Sequence, residues 1–299
     1  MSAPAAAGSN FPSLTHCADY WRQKRRESHL KQTQILAPEK WRLFYDRVSD
    51  LWDRITGTSP ETGEAIAHFM ADQYLCMPGD SVLDVGCGPG ALSFALAERK
   101  LTVTAIDNSA GMIQRLVDKI RLENITGIRV RRTDWREFPS KPSHDLAIAC
   151  FFPDAFSPDG LHRMESFAAK RCLMVFGDGK DIFPLRQRIW EKVMDISLPA
   201  GSENLMCAVN YLTAAGRCPK TAALSIPVHM DVDVASAEMF YREYFAIFGR
   251  SGPHLNAAVA DVLADYADQG RIRMQGISKP TILWWEPRAD RPIPCEAES

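Results

Sequence analysis

The chain has 299 residues, 46% of them apolar, and a formal net charge of −2. That length suits one large domain or two smaller ones, and the near-neutral balance gives no electrostatic reason to expect a nucleic acid or an anionic membrane as partner. No run of about 18 apolar residues occurs, so no transmembrane helix is expected.

Residues 1–12 are rich in Ala, Pro, Ser and Gly and lack the apolar centre of a signal peptide. They read as a disordered tail on a cytoplasmic protein. The eight cysteines are scattered, with no C-x-x-C pair, so neither a zinc site nor a disulfide framework is expected. Residues 20–32 carry the basic run Trp21-Arg22-Gln23-Lys24-Arg25-Arg26. On a helix this run is either a nucleic-acid contact or a solvated face, and the near-neutral charge favours the face. A second helix is predicted over 38–55, with Pro38 in its first turn and Leu43, Phe44, Val48, Leu51, Trp52 and Ile55 at spacings of three and four. Gly57-Thr58-Ser59-Pro60 ends it, and a third helix over 61–74 leads to Pro78-Gly79.

The chain is organised around the next stretch, Ser81-Val82-Leu83-Asp84-Val85-Gly86-Cys87-Gly88-Pro89-Gly90-Ala91-Leu92-Ser93. Residues 81–85 read as a buried strand. Three glycines let the backbone turn tightly and approach a ligand, and a helix follows over 91–99. Strand, Gly-rich turn and helix form the first unit of a nucleotide-binding α/β sheet. Gly86-x-Gly88-x-x-Ala91 also satisfies the loose dinucleotide fingerprint, but Asp84 argues against it. A carboxylate two residues before the first glycine would repel a pyrophosphate and attract an ammonium. The stretch resembles motif I of the class I S-adenosylmethionine-dependent methyltransferases, which often reads D-V-G-C-G-x-G, as residues 84–90 do here. The resemblance implies S-adenosylmethionine as cofactor, with Asp84, Gly86, Gly88 and Gly90 at its methionine end.

It also gives roles to positions on either side. The segment 41–53 looks like the lead-in helix of many small-molecule methyltransferases. By that likeness Tyr45 faces the methionine end or the reacting methyl and Trp52 the acceptor, although both also suit a packed core. Residues 102–107 read as a second strand ending in Asp107, 21 residues after Gly86, where an acid suits a ribose diol. Asn108 and Met112 would flank the adenine, Met112 being equally suited to the core. A helix over 110–123 and a strand over 128–132 lead to Asp134 and Trp135, whose carboxylate and main-chain N–H would bind adenine. The fourth strand, 144–150, ends at Cys150-Phe151-Phe152-Pro153-Asp154, with Cys150 beside the cofactor. The amino-transferring nucleic-acid methyltransferases have Asn or Asp-Pro-Pro-Tyr or Phe at this position. The departure argues against a base amine as acceptor and makes Phe151 and Phe152 an apolar acceptor wall.

A helix over 161–170 and a strand over 171–176 follow. Residues 180–250 then depart from the standard core and read as an inserted helical lid, with helices over 184–197, 205–215 and 235–248 and an extended stretch over 224–234. Trp190 and Tyr211 of this lid are expected to face the acceptor. A helix over 257–269 and a hairpin of 271–276 with 281–285 close the fold, Trp284 and Trp285 pointing to opposite faces. The expected fold is α/β, a doubly wound and mostly parallel sheet with a C-terminal antiparallel strand, an N-terminal helical cap and the lid. Its expected units are 1–75 (tail and cap), 76–287 (methyltransferase domain) and 288–299 (disordered tail). The expected function is methyl transfer to a small-molecule acceptor by in-line displacement, with no metal. An RNA or protein methyltransferase, or a non-catalytic S-adenosylmethionine binder, stands as the alternative. The sulfonium is an activated leaving group, so alignment and desolvation are the main tasks. A base is needed only for a protonated acceptor, and Tyr45, His144, His162 and His229 are candidates that no sequence partner singles out. Oligomeric state is not legible.

Overall fold

The computed structural model describes residues 12–56, 58–198, 203–288 and 293. The two tails read as disordered lie outside these residues apart from Pro12, Arg288 and Ile293, and so does Gly57 of the helix-ending turn.

Among the described residues, five helices and one 3-10 turn precede the sheet: α1 (Leu14–Glu27), α2 (His29–Leu36), α3 (Pro38–Val48), the turn Ser49–Leu51, α4 (Trp52–Ile55) and α5 (Pro60–Asp72). The core alternates β1 (Ser81–Val85), α6 (Ala91–Glu98), β2 (Thr102–Asp107), α7 (Ala110–Leu122), β3 (Ile128–Arg132), β4 (His144–Cys150), α8 (Pro158–Phe167) and β5 (Ala168–Phe176). After it come α9 (Leu185–Val193), α10 (Glu203–Ala214), β6 (Lys220–Ala223), β7 (Ile226–Asp233), α11 (Val234–Ala246), α12 (Pro253–Ala264), β8 (Ala267–Asp268), β9 (Arg271–Ser278) and β10 (Thr281–Trp285).

The main sheet runs β3-β2-β1-β4-β5-β10-β6. The first five strands are mutually parallel, and β10 runs against both β5 and β6. Strand order reverses between β1 and β4, which opens a crevice at their C-terminal ends. Both faces of the sheet's centre are covered, so its central strands are mostly apolar, while the edge strands β3 and β6 carry exposed polar residues. Leu83, Val85 and Trp285 point into a core shared with α1, α8 and α10, while Val82, Ile148 and Ile282 point into one shared with α5, α6 and α7. Trp284 packs on Phe69 of α5 with ring centroids 5.8 Å apart, so the two tryptophans do take opposite faces.

The end of the chain differs from the expected hairpin. β9 pairs with β7, not with β10, in a separate sheet of order β7-β9-β8. The cause is a third core. Ile226, Val228, Met230 and Val232 alternate inward along β7 and meet Ile272 of β9 together with α9, α11, α12 and the cap residues Trp41, Phe44 and Val48. The insertion is therefore helix and sheet, not helix alone.

The basic run also departs from a plain solvated face. Arg25 is buried, and its guanidinium donates to the carbonyl oxygens of Phe156 and, at 3.4 Å, Pro153 in the loop after β4. On α3 and α7 the cap is bound by charge. Asp46 accepts from Ser109 Oγ (2.7 Å) and the Gly111 N–H (3.1 Å), and Arg115 donates to both oxygens of Asp53 at 2.8 Å.

Candidate active site

The turn from β1 into α6 forms the floor of the crevice. Gly86, Gly88 and Gly90 all have positive φ, +69°, +53° and +91°, a region that L side chains adopt at a cost. A Cβ on Gly86 would lie 2.3 Å from the Phe152 ring, and one on Gly90 would lie 2.4 Å from Leu116. Gly88 has nothing within 4 Å of that position and faces the open crevice, where only a ligand would approach it.

Two carboxylates flank the turn. Asp84 is buried and accepts from Ser93 Oγ at 2.6 Å. Asp107, at the end of β2, accepts from the Gly88 N–H at 3.0 Å and the Ser109 N–H at 2.9 Å, one on each oxygen. Each Asp107 oxygen keeps a lone pair for a further donor. Burial pushes both carboxyls up to about 6. A ligand bringing an ammonium and paired hydroxyls fits this floor, and a pyrophosphate does not.

The raised values have two opposite consequences. Between the ordinary value of 3.8 and about 6 the folded chain binds more protons at these groups than the unfolded one. By linkage, the stability due to these two groups increases as pH falls through that window and is lost above it. Affinity for an ammonium-bearing nucleoside runs the other way, because it needs the ionised forms. We expect it to be flat above pH 7 and to fall below pH 6 by up to about tenfold per pH unit for each carboxylate. Titrations of S-adenosylhomocysteine at pH 5 and pH 8 check this, and affinity that is unchanged would exclude both residues from the ligand.

The structure brings Tyr45, Trp52, Asp84, Gly86, Gly88, Asp107, Asn108, Met112, Cys150, Phe151 and Phe152 to one crevice of about 1100 Å³ counted out to its mouth. Gly90 lies behind it as the N-cap of α6. Asp134 and Trp135 do not line it. Both oxygens of Asp134 are taken by Arg136 (Nε 3.0 Å, Nη2 2.8 Å), which faces the crevice in its place. Burial alone would raise the Asp134 carboxyl, but the hydrogen bonds and charge of Arg136 outweigh it and hold the pKa below the ordinary value. Trp135 is buried edge-on to Phe152, centroids 5.6 Å apart.

Trp190 and Tyr211 are corrections, since neither reaches the crevice. Trp190 is fully buried in the third core against Phe245 and Phe248, and its indole N–H donates to the Ile196 carbonyl at 2.6 Å. Tyr211 packs edge-on to Trp21 beneath the main sheet, 6.5 Å between centroids. Their helical spacing was right for burial, but each helix buries its stripe in a core away from the crevice.

Beside the crevice lies a second cavity of about 1030 Å³, again counted out to its mouth, sharing Trp41, Tyr45, Trp52, Phe151 and Pro153 with it. Phe240, Tyr241 and Tyr244 of α11 form its far wall, with Arg186 of α9. Sequence reasoning passed over these residues, although the i, i+4 pair Phe240 and Tyr244 was the available signal. Between the two cavities Phe151 takes φ +50°. A non-glycine residue in this region stores strain of order 1–3 kcal/mol. Its N–H is held by the Val175 carbonyl at 3.0 Å, and the loop beyond it is held by Arg25.

None of the histidine candidates is at the crevice. His144 Nε2 pairs with Thr104 Oγ1 at 2.9 Å at the opposite end of β4, His162 Nδ1 meets the Ile293 carbonyl, and His229 is exposed on β7. Burial, with Asp154 next in effect, pushes the Tyr45 phenol far up, so it stays protonated. Burial likewise keeps Cys87 and Cys150 as neutral thiols, which are poor nucleophiles.

The family model described as "Methyltransferase domain" matches residues 82–169, from β1 into β5. No curated protein matches the chain. Among solved structures, magnesium protoporphyrin IX methyltransferase from Synechocystis PCC 6803 with bound SAH is 17% identical, with a TM-score of 0.47 over 91% of this chain and 98% of that one. Coclaurine N-methyltransferase bound to N-methylheliamine and SAH is 14% identical, with a TM-score of 0.42 over 75% and 72%. Precorrin 8W decarboxylase from Methanobacterium thermoautotrophicum is 14% identical, with a TM-score of 0.44 over 74% and 89%. The matched stretch carries the glycine turn, both carboxylates and the parallel strands that place them, and over residues 82–169 the chain is similar to a methyltransferase domain.

Proposed function

We propose that the enzyme methylates a small-molecule acceptor bound in the aromatic cavity beside the cofactor crevice. The observation that carries this reading is that the two cavities adjoin, with Tyr45, Trp52 and Phe151 lining both. Small-ligand sites are concave and mostly apolar with a few placed polar groups, and this cavity has that character. The RNA alternative drew on the basic stretch around Arg25, but that guanidinium turns inward onto main-chain carbonyls. Among the described residues no helix is long and apolar enough to cross a membrane.

In this reading Asp84 draws the ammonium of the methionine end and Asp107 accepts from the ribose hydroxyls. Gly88 gives the backbone close approach, and Asn108 and Met112 flank the adenine. When bound, S-adenosylmethionine supplies a methyl group on a sulfonium, a leaving group that needs no protonation. The residues of the chain then align the acceptor and exclude water. Phe151, strained and pinned, sets the boundary across which donor and acceptor meet. Residues 1–75 serve as tail and cap, and about 180–250 as the inserted lid.

Calorimetry tests the reading. S-adenosylmethionine and S-adenosylhomocysteine bind and NAD does not, and ligand at 100 times its dissociation constant adds about 2.7 kcal/mol of stability. Asp107→Ala removes a charge-assisted acceptor worth roughly 1.5–3 kcal/mol, so affinity falls at least about tenfold. NAD binding with no response to either methionine nucleoside would overturn the reading.

A further inference from the structure

The charges around the two cavities are unevenly matched. Every guanidinium lining them is already engaged. Arg42 is held by Glu39 (2.7 Å) and Asp46 (2.8 Å), Arg136 by Asp134 and Arg186 by Asp181. The one other cation on their walls, Lys180, is exposed. Of the three carboxylates on the crevice wall, Asp84 and Asp107 have hydrogen-bond donors and, in the reading above, cofactor groups to meet. Asp154 has neither a hydrogen bond nor an ion pair among the described residues. Arg136 and Arg25 lower its pKa only through space, and burial outweighs them and raises it.

Asp154 is also held in place. It sits in the 3-10 turn Pro153–Ala155, which begins two residues after the strained Phe151, and Arg25 bonds the carbonyls on either side of it. Its charge is felt by the Tyr45 phenol on the cap. An ionised carboxylate fixed in a partly buried, largely aromatic wall without a donor is costly until a cation arrives. The aromatic faces of Tyr45, Phe151 and Phe152 beside it suit the same ion.

We propose that the acceptor is an amine and that Asp154 binds it as its ammonium ion, with the apolar part of the molecule in the aromatic cavity. The proposal rests on the small-molecule reading above. A neutral hydroxyl would give Asp154 one hydrogen bond and leave the charge uncompensated, and an acidic acceptor would meet it with like charge. On transfer, Asp154 takes one proton from the ammonium. The nitrogen pair so freed forms the N–C bond as the S–C bond breaks, and the electrons of that bond stay on sulfur. The product leaves as a methylated ammonium, and Asp154 returns its proton to water.

The test uses the full chain saturated with S-adenosylhomocysteine and three matched probes, phenethylamine, 2-phenylethanol and 3-phenylpropionate, titrated by calorimetry. The amine binds at least about tenfold more tightly than either neutral or acidic probe, and Asp154→Asn erases that preference. Equal or tighter binding of the alcohol or acid, no binding of the amine, or a preference that survives Asp154→Asn would each overturn the proposal. The three-probe comparison on the unmodified chain decides the matter even if Asp154→Asn does not fold. Failure of S-adenosylhomocysteine to bind removes the methyl-transfer reading itself. Binding of S-adenosylhomocysteine without the amine preference removes only this proposal.

Discussion

Arg217→Met is expected to lower the stability of the fold by about 3–5 kcal/mol. Arg217 lies just past α10, fully enclosed, and its Nε and Nη2 donate to the two oxygens of Glu165 on α8 at 2.8 and 2.5 Å. Its Nη1 donates to the Ala215 carbonyl at 2.9 Å, and the indole N–H of Trp285 on β10 donates to Glu165 Oε1 at the same distance. Removing the guanidinium leaves a buried carboxylate with one donor. The loss is mainly the desolvation of that orphaned charge, because a buried pair and an apolar replacement of similar volume differ little. Adding Glu165→Gln removes the charge and keeps an oxygen for Trp285, so the double variant should recover a good part of the loss. Urea unfolding of the single and double variants measures both. A single variant within about 1 kcal/mol of the parent, or a double variant no better than the single, would contradict this account.

Trp190→Ala should be as severe, about 3–5 kcal/mol, for a different reason. The indole is fully buried, with Phe248 edge-on at 5.1 Å between centroids and Phe245 at 6.0 Å. Truncation leaves a cavity where α9 packs on its neighbours and takes the donor from the Ile196 carbonyl. Cap residues Trp41, Phe44 and Val48 share this core, so damage spreads to the roof of the crevice and cofactor binding weakens with stability. A melting curve together with an S-adenosylhomocysteine titration checks it. Near-parental stability with only acceptor binding lost would return Trp190 to the site.

The glycine turn, Asp84 and Asp107 were legible because strand, turn and helix are consecutive, so their geometry is local. The aromatic lid residues were not. A helical stripe of Ile189, Trp190 and Val193 announces burial but not which of three cores receives it. Arg25 illustrates the same limit for charge. A guanidinium turned inward onto carbonyls and one in water have the same sequence signature, and only the fold brings Pro153 and Phe156 beneath α1. Asp154 stood in the stretch singled out after β4, yet its lack of a donor depends on residues over a hundred positions away. The family resemblance, with its reversed last strand beside the sixth, points to a hairpin of β9 with β10. The inward residue of β9, Ile272, instead completes the face offered by β7.

The two sheets are joined in an unusual way. β6 passes into β7 through two residues, Leu224 and Ser225, and β9 passes into β10 through two more, Lys279 and Pro280. The Leu224 N–H donates to the Pro280 carbonyl at 2.8 Å, so the two short links lie side by side. Between them they pin the small sheet to the large one at a single point. The small sheet cannot slide along the large one without breaking that bond. The helix that follows β7 directly, α11, carries the far wall of the second cavity, so the position of that wall is set from this fixed point.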